Sequence, residues 1–119
     1  MNWQIRADKR SRALHRAIAK KLRTNPDLWD IPKKNLARWK HTEGGLPPAL
    51  MEWEHILNTK TKEQILAILE SDSEESTRLR SSSPFVGILS QKERNKIFEF
   101  YRFGGKKESV DLGTRINDF

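Results

Sequence analysis

Side chains able to do acid–base or metal chemistry are few in this sequence, and they are scattered. The histidines, His15, His41 and His55, stand apart, and none belongs to a His-Glu-x-x-His run. Glu52 and His55 have the i, i+3 spacing that puts a carboxylate and an imidazole on one helix face in di-metal bundles. That arrangement needs a second copy, which the chain lacks. Cysteine is absent, which excludes thiol catalysis, cysteine metal sites and disulfides, and which fits a reducing cytoplasm. No glycine-rich phosphate loop, nucleophile elbow or paired catalytic carboxylate is found. The expectation is a non-enzymatic protein with no catalytic residue, metal or cofactor.

What the sequence carries in quantity is positive charge, unevenly placed. Residues 1–41 hold 12 Lys/Arg and 3 Asp/Glu, whereas the other 78 hold 11 and 13, for a net +7. On a helix from Ile5 to Arg23, Lys9, Arg12, Arg16, Lys20 and Arg23 cluster within about 80°, with Arg6 close by. Asp8 is the only acid nearby. A solvated face is the ordinary explanation, yet crowded cations repel one another, and folding alone does not ask for them. Arg6, Lys9, Arg12, Arg16, Lys20 and Arg23 are therefore candidates for contact with an acidic protein or a nucleic acid, DNA or RNA. With a nucleic acid the driving force would be phosphate neutralisation and counterion release. Sequence-specific reading lacks support: the helix after the His41–Pro48 turn carries Glu52 and Glu54, the wrong sign for entering a groove.

The second concentration of unusual residues is Ser81–Phe103. Three serines and Pro84 open a loop, followed by the apolar run Phe85-Val86-Gly87-Ile88-Leu89. Ser90 and Glu93 have capping-box spacing, which predicts a helix over Gln91–Phe103. Its apolar residues cover more than one stripe: Ile97 and Tyr101 lie together, with Phe98 to one side and Phe100 to the other. Such a helix is either deep in a core or has surface left for a partner. In a chain this small, a mixture is expected.

The run Ser83-Pro84-Phe85-Val86-Gly87-Ile88-Leu89-Ser90 followed by Glu93-Arg94 resembles the C-terminal signature of a family of small bacterial proteins. These look like the antitoxin partners encoded beside AbiEii-type nucleotidyltransferase-like toxins. The resemblance extends through Asp72–Arg80 and Asn35-Leu36-Ala37-Arg38-Trp39 and covers residues 1–103. One departure is Asn95, where the family pattern leads one to expect Trp. The resemblance implies an antitoxin that neutralises its cognate toxin by direct contact. Ser83, Pro84, Phe85, Ile88, Arg94, Phe98, Tyr101 and Arg102 are the partner-binding candidates. Nucleic-acid binding through the basic helices over 5–41 is the alternative.

The elements that must position these groups are helical. At 35% hydrophobic and 33% charged, the core has to come from amphipathic helices. No window approaches the roughly 18 apolar residues of a membrane span, and no signal-peptide-like run appears, so a cytoplasmic protein is expected. Leu14, Ile18 and Leu22 mark the buried stripe of the first helix, and Asn25-Pro26 its stop. Ile31–His41 is the second helix; Pro47-Pro48 opens a third, with Trp39 and Trp53 as core rings. Thr61 and Gln64 form a further capping box, and Asp72 or Ser73 caps a short helix ending in Arg78 and Arg80. The predicted fold is all-α, five or six short helices in a compact orthogonal bundle over 1–103, with a mobile tail over 104–119.

Overall fold

Local signals set the helix ends. The Thr61 hydroxyl accepts the Gln64 N–H at 3.1 Å while the Gln64 side chain accepts the Thr61 N–H at 2.9 Å. Ser90 and Glu93 make the same reciprocal pair at 3.1 and 2.7 Å, and Ser73 accepts the Ser76 N–H at 3.0 Å. The computed structural model describes residues 3–42 and 44–102, with side chains for residues 8–42 and 44–101. The predicted tail, 104–119, and Phe103 lie outside the described residues. Helices α1 (Trp3–Thr24), α2 (Asp30–Thr42), α3 (Pro48–Thr59), α4 (Lys62–Glu70), α5 (Glu74–Arg80) and α6 (Gln91–Arg102) are joined by loops and a 3-10 turn at Pro26–Trp29. Among the described residues the fold is all-α, without a strand.

The first helix extends the expected Ile5–Arg23 run slightly at both ends. At 22 residues it is the axis of the molecule, packing against the 3-10 turn, α4, α5 and α6. Ile18, Ala19 and Leu22 bury its stripe, with Leu14 half-buried at the edge. Leu36, Ile56, Leu57, Ile65, Leu66, Leu69 and Leu79 complete the aliphatic core. Trp53 is wholly enclosed: its indole N–H donates to the Leu79 carbonyl at 2.7 Å, and its ring meets Phe85 edge-on at 5.2 Å. Trp39 is only half-buried, packed on the core and lining an open groove with Leu46 and Leu50.

The Ser81–Ser90 loop carries no regular ladder, so its backbone groups need other partners. Asn35, buried on α2, donates from its amide to the Pro84 carbonyl at 2.9 Å and the Val86 carbonyl at 2.8 Å. Lys21 donates to the Ile88 carbonyl at 3.1 Å, and Gly87 makes the turn at φ +97°. Substituting Asn35→Ala orphans two carbonyls and is expected to cost about 2–4 kcal/mol, since each unsatisfied buried acceptor costs roughly 1–3. Urea unfolding reads the loss. Asn35→Asp, which turns donors into acceptors facing carbonyls, should do at least as much damage.

Arg80 shows where a local reading stops. Its place near the end of α5 suggests service to that helix's own dipole, as Arg78 does beside Glu75. Instead the Arg80 side chain is buried and reaches the end of α4, donating to the carbonyls of Ile68 at 3.0 Å and Ser71 at 2.6 Å. It caps a helix other than its own.

Candidate partner-binding site

The cationic face of α1 is partly answered from within the fold. Arg12 and Arg16 approach the Asp72 carboxylate at 3.0 and 3.5 Å, and Arg23 grips Glu70 with both terminal nitrogens, one at 2.7 Å. The Arg23 contact holds the Glu70 carboxyl below its ordinary range. These acids come from the end of α4 and the cap region of α5, which pack on that flank of α1. Arg12, Arg16 and Arg23 thus have acidic partners within the fold, although exposed pairs add little stability. Lys9 and Lys20 remain exposed with no ion pair among the described residues. The Arg6 side chain lies outside those described.

The loop candidates divide by burial. Pro84 is fully buried, Phe85 is 1% exposed and Ile88 3% exposed. All three are packed in the core, which leaves little of their surface for a partner to touch, although Phe85 still lines a cavity. The cause is tertiary: Asn35 draws the loop backbone inward, and Phe85 completes the cage around Trp53. Ser83 is half-buried and its hydroxyl accepts the Phe85 N–H at 3.2 Å. What the loop presents outward is Val86, 58% exposed.

Where the loop enters α6, Lys21 donates to Glu93 at 2.7 Å and the Ser90 N–H donates to the same oxygen at 2.7 Å. The Lys21 ammonium first, then the Ser90 amide, lowers the Glu93 carboxyl from its ordinary 4.5 to about 2. Because the folded value lies below the unfolded one, this contribution is complete above about pH 4.5 and is lost as pH falls toward 2. Glu93→Gln should flatten the wild-type loss of stability between pH 4.5 and 2, measured by thermal unfolding across that window.

The α6 candidates do reach the surface. Phe98 is half-buried, with the guanidiniums of Arg10 and Arg94 each 5.3 Å from its ring centroid. Neither arginine has a carboxylate partner among the described residues. Ile97 packs on the core. Tyr101 is half-buried and meets the 43%-exposed Phe100 edge-on at 4.9 Å. The Arg102 side chain is outside those described. Beside Arg94, a cavity of about 170 Å³ opens between α1 and the loop, lined by Leu14, Ile18, Phe85, Val86 and Leu89.

No family model, curated protein or solved structure matches this chain. The site therefore rests on its own chemistry. Among the described residues no group of His, Asp or Glu could hold a metal ion; Glu52 is gripped by Arg78 at 2.8 and 3.0 Å, and His55 is exposed. No described helix is long and apolar enough to cross a membrane.

Sequence reasoning passed over Arg10, although its i, i+4 spacing to Leu14 was available as a signal. His15, set aside in the sequence as isolated, is buried here. That ring is 5% exposed and its Nδ1 lies 2.8 Å from the Ser11 carbonyl, so Nδ1 carries the hydrogen and Nε2, unpartnered, is a bare acceptor. Burial pushes its pKa below the ordinary histidine range.

Proposed function

We propose that this protein is a non-enzymatic, antitoxin-like binding protein of the cytoplasm that neutralises a nucleotidyltransferase-type toxin by direct protein–protein contact. The observation carrying this reading is the half-buried Phe98 with Arg10 and Arg94 both at its ring, two guanidiniums with no carboxylate partner among the described residues. A ring with a cationic rim fits an acidic surface that also offers an apolar contact. A nucleotidyltransferase centre, with carboxylates that hold magnesium, is such a surface. The resemblance in Ser83–Ser90 and Glu93-Arg94 names the partner class. The exposed lysines Lys9, Lys20, Lys33 and Lys34 favour the second reading, electrostatic contact with nucleic acid.

Co-expression with the product of the adjacent reading frame tests the first reading. Growth rescue and co-purification are expected; the failure of both removes it. Phe98→Ala should weaken the complex by more than tenfold, an anchor-sized loss, while circular dichroism stays helical. Titration of labelled duplex DNA and RNA at two salt concentrations tests the second; no binding at low salt removes it.

A further inference from the structure

The feature that carries furthest lies where α1 and α6 meet beside the Ser81–Ser90 loop. Two residue pairs, each one helical turn apart, come together there: Arg10 and Leu14 on α1, Arg94 and Phe98 on α6. Arg94 belongs to both halves of the arrangement. Its guanidinium stacks on Phe98 and its side chain lines the cavity of about 170 Å³ together with Leu14, Ile18, Phe85 and Leu89. The walls are mostly apolar, with His15 and Ser83 also among them, Arg94 lends the rim positive charge, and the exposed Val86 extends the apolar surface outward.

We infer that this notch receives one bulky apolar side chain of a protein partner, and that Arg94 and Arg10 pair with an Asp or Glu beside it. This deepens the protein-binding reading above and rests on it. Size and charge argue for that occupant. The cavity is well below the roughly 300–1,000 Å³ of small-molecule sites, yet large enough for one anchoring side chain. Val86 lines the cavity and still stands 58% exposed, so a segment of polypeptide crossing the rim would cover more of it than a small molecule confined to the cavity. Both guanidiniums lie at Phe98 with no carboxylate partner among the described residues, and a partner's carboxylate at the rim would form charge-assisted hydrogen bonds with them.

The test needs no toxin. Isotope-labelled full-length chain is titrated, with amide spectra as readout, first with 4-methylpentanoate, which joins the leucine isobutyl group to a carboxylate. Acetate and 4-methylpentan-1-ol are its controls. An alanine-based helical peptide follows, with Leu and Glu one turn apart, against matched peptides carrying Ala for Leu or Gln for Glu. Saturable shifts at Leu14, Phe85, Leu89 and Arg94 are expected, with the Leu/Glu peptide at least tenfold tighter than either control peptide. Leu14→Phe, which fills the cavity, and Arg94→Gln should each weaken the Leu/Glu peptide about tenfold. Equal response to all three peptides overturns the inference. Binding of 4-methylpentanoate without any response to the peptide overturns the protein occupant. Peptide binding in a protein that gives no rescue from the toxin supports the notch and removes the toxin alone; rescue with no response at the notch does the reverse.

Discussion

Phe85→Ala is expected to destabilise the protein by about 3–5 kcal/mol, the usual cost of deleting an enclosed aromatic ring. The reason is local and visible. Phe85 is 1% exposed and stands edge-on to Trp53, itself fully enclosed and hydrogen-bonded to Leu79. Removing the ring opens a void at the junction of α3, α5 and the loop, and takes away a ring–ring contact worth about 0.5–1.5 kcal/mol beyond its area. Urea unfolding of the single and double Phe85 and Trp53 variants separates these contributions. Phe85 also lines the notch, so Phe85→Ala should lower partner binding through the unfolded fraction and through the altered cavity wall together. A variant that keeps its wild-type urea midpoint would show that the ring does not hold the core.

Arg80→Met ranks second, at about 3 kcal/mol and a fall in Tm of roughly 10–20 °C for a domain of this size. Methionine keeps much of the buried stem and removes the head group, so the loss reports on hydrogen bonds. The guanidinium serves the carbonyls of Ile68 and Ser71 at 3.0 and 2.6 Å and the Thr77 hydroxyl at 3.3 Å. Without it, acceptors at the end of α4 are left buried and unpaired. Arg80→Lys should recover less than half of the loss, because an ammonium is a point donor and cannot reproduce a planar fork. A methionine variant with unchanged Tm would show that water replaces the guanidinium freely at that helix end.

The two effects share a consequence for the binding surface. Phe85, Leu89 and Ile18 form its floor, and their packing depends on the pinning of the loop by Asn35 and Lys21. The notch is thus built on core rather than on a free loop, which lowers the ordering cost of docking. The basic flank of α1 plays a different part. Arg12, Arg16 and Arg23 are drawn onto Asp72 and Glu70, so exposed Lys9 and Lys20 carry its unpaired charge among the described residues.

Sequence alone determined what depends on neighbours three or four residues away. The capping boxes at Thr61–Gln64 and Ser90–Glu93, the buried stripe of Ile18 and Leu22, and the all-α class follow from helical spacing. Tertiary structure alone decided which side chains were spent inside. Asn35 meets Pro84 across 49 residues, Arg23 meets Glu70 across 47, and Arg16 meets Asp72 across 56. Periodicity places a residue on a face but does not say what will be packed against that face. For the same reason the apolar run Phe85–Leu89 read equally well as core or as contact surface, until the cage around Trp53 and the pull of Asn35 turned Phe85 inward and left Val86 facing water.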